Sequence, residues 1–292
     1  MLNSGGEESV NRLLAGGFDL HVHSGPCRFP RAYDDVELLE VLHAAGMGGA
    51  VIKSHFQGTS SRATMANRVR PGTACLFGGI ALNHPVGGIN PSAVESEILF
   101  GGKIVWFPTI DAENNLAFSK GLRPADRSRK EGIRIFTSEG MLCKEVLDVL
   151  DIVIAADVIL ATGHLSRKEA LALCAEAIRR GHSKIILTHP DWGGVSIPLS
   201  EQISLAKQGV FIEKCLLNVD NGDIEVSRAA LDIAAIGAAR CLVTTDYGKS
   251  GHAPVPDGLA RFLSLLIDNG VSTEEVSMMI RRNPAYLLGM QM

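Results

Sequence analysis

Phe18-Asp19-Leu20-His21-Val22-His23 alternates apolar and polar residues and runs into a Gly25-Pro26 turn. It reads as a strand. Alternate side chains of a strand share a face. Asp19, His21 and His23 are therefore expected to point the same way, with both imidazoles at the C-terminal end. Neighbouring imidazoles there are poor packing units and good metal ligands. A pair of buried, hydrogen-bonded histidines is the plainer alternative.

Working outward, the next stretch, Asp34 to Gly46, has helical spacing, with Asp34 or Asp35 as cap and Gly46 as stop. The alternation then repeats along the chain. Strand-like runs end near residues 23, 55, 84, 109, 164, 189, 215 and 246, and helical patterns separate them. Alternating strands and helices indicate a parallel sheet, and eight units indicate a (β/α)8 TIM barrel. An open doubly wound sheet is the alternative, but no Gly-x-Gly-x-x-Gly opens the first helix. The interval from 109 to 164 is much the longest. Its irregular part, about 110–140, reads as an insertion after strand 4, above the active face. The expected organisation is an N-terminal lead over 1–17 and a single barrel domain over 18–292.

Bulk properties narrow the function. The 292 residues are 46% hydrophobic and 21% charged, with a net charge of −4. Such a balance gives no support to nucleic-acid binding. The six cysteines are scattered without a Cys-x-x-Cys pair, which fits a reducing, cytoplasmic setting. No secretory signal or membrane span is legible. A small-molecule substrate is the expected partner, and the oligomeric state is left open, a homo-oligomer included.

The histidines carry the chemistry. Of nine, six (His21, His23, His55, His84, His164 and His189) fall at the C-terminal ends of expected strands. In a barrel those ends converge on one face. The last strand adds a carboxylate in Thr244-Thr245-Asp246. The set His21-Val22-His23, Gly163-His164, Thr188-His189-Pro190 and Thr245-Asp246-Tyr247 resembles the amidohydrolase superfamily, most of all uncharacterised phosphotriesterase-like members. The likeness covers about residues 18–289.

That resemblance implies a metal-dependent hydrolase. His21, His23 and Asp246 would hold one divalent metal, zinc being the expected ion. His164 and His189 would hold a second ion or share the first. A metal-bound hydroxide would attack an ester, lactone, amide or phosphoester, with Asp246 as the catalytic proton acceptor. Asp19 would be a carboxylate partner for an imidazole.

One feature departs from the family. Two-metal members carry a bridging carboxylated Lys or a Glu at the end of strand 4, and here that strand ends Trp106-Phe107-Pro108-Thr109. Lys53 on strand 2 is the residue placed to substitute, as a carbamate bridge or as a cation for a substrate anion. Glu213 and Glu139 are weaker bridge candidates. His55, His84 and Arg62 are expected to face the substrate. Arg28, Arg31 and a basic segment over 120–134 suggest an anionic substrate and a lid. Two other readings stay open: a mononuclear-metal decarboxylase or hydratase on the same barrel, and a non-catalytic barrel with a degenerate site.

Overall fold

The strands are short and, Cys75 and Phe77 apart, formed of buried residues, and a polar residue follows each strand end within three positions. The computed structural model describes residues 13–119 and 131–290. The strands are β1 (Phe18–Val22), β2 (Gly49–Ile52), β3 (Cys75–Phe77 and Gly79–Ala81, two halves of one run), β4 (Ile104–Trp106), β5 (Ile159–Ala161), β6 (Ile185–Leu187), β7 (Phe211–Cys215) and β8 (Cys241–Thr244). Neighbours pair in parallel and in chain order. The last strand meets the first. Asp246 N–H donates to the His21 carbonyl at 2.9 Å, and His23 N–H to the Tyr247 carbonyl at 2.7 Å. The architecture is the parallel eight-stranded barrel expected from the alternation.

The helices that cover the strands are α1 (Asp35–Ala44), α2 (Ser60–Val69), α3 (Pro91–Leu99), α4 (Glu113–Phe118), α5 (Lys144–Ala155), α6 (Arg167–Arg179), α7 (Leu199–Lys207), α8 (Leu216–Asp220), α9 (Val226–Ile236), α10 (Val255–Asp268), α11 (Thr273–Ser277) and α12 (Asn283–Leu288). Asp34, not Asp35, caps α1, in a reciprocal box with Glu37. Ser166 and Glu169 do the same for α6. Among the described residues no helix is long and apolar enough to cross a membrane.

Two shells of core fix where a site can be. Outside the ring, Val22 and Ile52 pack on Leu38, Leu42 and Phe262, and Leu160 and Leu187 on Val149 and Leu173. Inside it, Leu20, Val51, Ala81, Trp106, Ala161, Ile186 and Leu242 fill the barrel, with Leu287 and Leu288 of α12 packed among them. The polar side chains lie at the C-terminal strand ends, above this filling.

β1 departs from simple alternation. Asp19 lies beside Ala50 and Val22 beside Ile52, so β1 has one residue more than β2 over this interval. That is a β-bulge. Asp19 therefore shares the outward face of Ala50, while Leu20 joins the interior and His21 stands 6.2 Å from the Trp106 ring. The expectation that Asp19 and His21 share a face is thus corrected. Asp19 accepts from the His21 N–H at 3.0 Å and from Thr245 Oγ1 at 2.6 Å. It satisfies the amide that the bulge frees and ties β1 to the end of β8.

Residues 1–12 of the expected lead and 120–130 of the expected insertion lie outside the described residues. With the latter go Lys120, Arg123, Arg127, Arg129 and Lys130 of the expected lid. What is described of the insertion is α4 and two bridges, Ala112 to Ile133 and Phe136 to Leu142. Arg134 is exposed and paired with Glu113.

Candidate metal centre

His21 arrives on the bulge of β1, and His23 lies one residue past its end. Asp246 follows β8 in a left-handed conformation, φ 55°, which turns its carboxylate across the seam. Asp246 Oδ1 lies 3.1 Å from His21 Nε2 and 3.0 Å from His23 Nε2. Their ligand atoms all fall within 4.8 Å of one another. It is the one such cluster of His, Cys, Asp or Glu among the described residues.

The outer nitrogens set the inner ones. His21 Nδ1 is 2.8 Å from Glu213 Oε1, and His23 Nδ1 is 2.9 Å from the Lys53 carbonyl. Both partners only accept, so both Nδ1 atoms carry hydrogen and both Nε2 atoms face inward. Burial lowers the His21 pKa, but Asp246 and Glu213 outweigh it and raise it to about 9, so an ion would take the place of the Nε2 proton there. Glu213 also accepts from Thr244 Oγ1 at 2.9 Å and from the His189 N–H at 2.8 Å. Burial pushes its pKa up, but His21, His189 and Lys53 outweigh burial and hold it at about 2. The carboxylate partner of the first imidazole is thus Glu213, in place of Asp19, and Glu213 braces a ligand rather than bridging ions. Glu139 is exposed and is not part of the cluster.

Lys53 reaches the same place from β2. Its Nζ is 2.9 Å from His21 Nε2, and the residue is 2% exposed. Burial lowers its pKa against the pull of Asp246 and Glu213. For Asp246, burial works against the charge, but His21 and His23 hold it well below the ordinary carboxylate range.

His164 and His189 stand together on the strands opposite. Their ring centroids are 4.9 Å apart, and His189 stacks on His21 at 5.8 Å. Burial lowers the pKa of His189 to about 4 and that of His23 to about 3, and it takes His55 and His164 well below their usual value. Four neutral imidazoles in one cluster suit a cation. His164 Nδ1 is 3.0 Å from Asn115 Oδ1, and the Asn115 amide donates to the Ile110 carbonyl at 3.0 Å. This fixes the Asn115 orientation and leaves His164 Nε2 bare. His189 Nδ1 is buried with no protein partner. A buried polar atom left unpaired marks a place for something the chain itself does not supply. The donor set and this orphan fit a divalent ion.

A cavity of about 610 Å³ opens over the cluster, lined by His23, Lys53, His55, His164 and Asp246 among others. Two expected substrate contacts lie elsewhere. Arg62 is taken by Asp35, at 2.8 Å from each of its carboxylate oxygens, and by the Gly25 carbonyl at 2.6 Å. His84 Nε2 is 2.8 Å from the Glu131 carbonyl. Neither lines the cavity. His55 does. Its Nδ1 is 2.9 Å from Thr109 Oγ1, which accepts from Asn83 Nδ2 at 2.7 Å.

Residues 16–213 match the model of a family described as "Family of unknown function (DUF6282)". The chain belongs to that family. A comparison with curated proteins gives no match. Solved structures similar to this DUF6282 chain include an amidohydrolase from Pseudomonas aeruginosa, at 12% identity and a TM-score of 0.68, covering 97% of this chain and 98% of that one. A probable 2-pyrone-4,6-dicarboxylic acid hydrolase from Acinetobacter baumannii matches at 12% identity and 0.60, over 94% and 99% of the two chains. A 2,6-dihydroxybenzoate decarboxylase matches at 14% and 0.55, over 94% and 100%. These neighbours belong to the amidohydrolase superfamily, and the DUF6282 chain has their barrel fold.

The chemistry open to this DUF6282 site follows from its atoms. It offers three converging ligand atoms, one of them a carboxylate oxygen at the cavity wall, with three further neutral imidazoles and a buried amine. Sequence reading missed Asn115, which sits inside an irregular insertion and carries no positional signal. It undervalued Glu213, although a Glu in the buried run Phe211-Ile212-Glu213 requires a partner.

Proposed function

We propose that this chain is a metal-dependent hydrolase acting on an ester, lactone, amide or phosphoester of a small molecule. The observation that supports it is the convergence of His21 Nε2, His23 Nε2 and Asp246 Oδ1, with both Nδ1 atoms already bonded away from the centre. These residues would hold a divalent ion, with His164, His189 and Lys53 available to complete its shell or hold a second one. Zinc suits such nitrogen and carboxylate donors. The ion would supply Lewis acidity and lower the pKa of water.

The chain's own groups do the rest. Asp246, ionised at the cavity wall, accepts the proton of the attacking water. In the tautomer whose Nδ1 accepts, His55 takes the Thr109 hydroxyl hydrogen while the Thr109 oxygen accepts from Asn83. His55 Nε2–H is then a donor for the oxygen on which charge develops. Lys53 has two roles open to it. As a neutral buried amine it can add carbon dioxide to give a carbamate ligand, releasing a proton; as a cation it is stabilised by the charges of Asp246 and Glu213 and can face a substrate anion.

Decarboxylation or hydration on one ion is the second reading. It is favoured by the single three-residue cluster among the described residues and by a β4 end, Trp106-Phe107-Pro108-Thr109, that offers no bridge.

Elemental analysis of the purified protein tests the reading. At least one divalent ion per chain is expected, with loss in the His21→Ala/His23→Ala double variant. A wild-type protein that binds none when supplied with zinc, manganese or nickel overturns it. Two ions per chain favour hydrolysis. Lys53→Ala then loses one ion if a carbamate bridges, and keeps both if Lys53 is a cation. Asp246→Asn is expected to retain most of the metal and lose turnover.

A further inference from the structure

We infer, on the metal-centre reading above, that the substrate is a small organic acid whose carboxylate is bound by Arg31 and Lys249. Both residues line the cavity that covers the cluster. They come from different ends of the chain, and the backbone holds them together. Arg31 and Lys249 form an antiparallel bridge between the loops that follow β1 and β8. Ala32 N–H donates to the Gly248 carbonyl at 3.0 Å, and Ser250 N–H to the Pro30 carbonyl at 3.3 Å. Two cations thus sit side by side at one mouth.

Their hydrogen-bonding capacity is unspent. Arg31 Nε is buried and has no partner. Arg31 Nη2 is 3.3 Å from His23 Nδ1, but that nitrogen spends its hydrogen on the Lys53 carbonyl at 2.9 Å and has no lone pair to offer. The guanidinium therefore holds donors without an acceptor. No described carboxylate forms an ion pair with Arg31 or Lys249. A buried donor left unpaired is costly, and a planar guanidinium is matched by a planar carboxylate. His252 Nδ1, in the same lining, is also buried and unpaired.

The rest of the cavity agrees. Its lining has two cationic side chains, Arg31 and Lys249, and the buried amine of Lys53, against one carboxylate, Asp246. A divalent ion would raise that excess. Phe29, Pro30 and Leu217 supply an apolar flank for a carbon skeleton. About 610 Å³ suits a small molecule. The imidazole of His23 stands between the two functions, its Nδ1 edge towards Arg31 and its Nε2 edge towards Asp246. The anion is thereby held one ring's width from the reacting centre, as a handle that positions the bond to be attacked.

Calorimetric titration of succinate into metal-free and zinc-loaded protein tests this, with uncharged succinamide as the control. Succinate is expected to bind the metal-free protein, and succinamide is not. Arg31→Gln is expected to weaken succinate by about tenfold or more, the scale of a lost charge-assisted hydrogen bond. Lys249→Gln, at an exposed position, is expected to weaken it several-fold, and it carries the test should Arg31→Gln fail to fold. Equal binding of acid and amide overturns the carboxylate subsite, as does wild-type affinity in a folded variant or binding that requires zinc. Succinate bound through Arg31 and Lys249 by a protein that takes up no metal would sink the metal centre and leave this subsite standing.

Discussion

Glu213 shows how one residue serves the site without reaching the substrate. It stands behind His21, where its Oε1 takes the Nδ1 hydrogen at 2.8 Å. It also accepts from Thr244 and from the backbone of His189. One carboxylate thus fixes the tautomer of one imidazole and the backbone of a second. Glu213→Gln keeps the shape and loses the charge. Outer partners of this kind are worth about 10–100-fold in metal affinity. Competition with a coloured chelator is expected to show a loss on that scale, with the fold intact by circular dichroism. Unchanged affinity would remove Glu213 as a positioning group. Asn115, with no charge to lose, is expected to matter less to affinity and more to the orientation of His164.

At the scale of elements, the eight-unit rhythm was legible because short apolar runs and helical periodicity are local properties. Register is not local. Nothing in Phe18-Asp19-Leu20-His21-Val22-His23 announces that Leu20 and His21 both turn inward, because the bulge is set by the pairing of Asp19 with Ala50 and of Val22 with Ile52. The histidines were placed at strand ends from sequence, whereas the misplacement of Arg62 came from a partner, Asp35, that only the packing of α1 against α2 brings near. The break in β3 is of the same kind. Glu97 of α3 accepts from the N–H groups of Thr59 and Ser60 at 2.8 Å each and so caps α2. That helix end presses on Gly78, where an added Cβ would meet Ser60 backbone atoms at 2.3 Å. Backbone cannot swing aside as a side-chain tip can. Gly78→Ala is expected to cost about 1–3 kcal/mol, the usual scale of overpacking, and to leave metal content unchanged. Urea unfolding with parallel elemental analysis checks both. A fully stable alanine variant would mean that α2 can withdraw from β3.

For the whole molecule, the seam between β8 and β1 is where fold and function meet. His21, His23 and Asp246 come from its two sides, and the same seam is joined by Asp19 to Thr245 and by two backbone bonds. An ion held there would cross-link residues more than two hundred positions apart in sequence, and it would bind only the closed barrel. Ligand that binds the folded state alone adds stability by mass action, about 2.7 kcal/mol at a hundredfold excess over the dissociation constant. In a chain of this length that corresponds to a rise in melting temperature of roughly 5 °C. Stripping with a chelator is therefore expected to lower the melting temperature by about that much, and stoichiometric zinc to restore it. The double variant His21→Ala/His23→Ala separates this from general effects of the chelator: its melting temperature should not respond to either treatment. A wild-type protein whose unfolding is equally indifferent would show that no ion spans the seam, and the closure would then rest on Asp19 and the backbone alone.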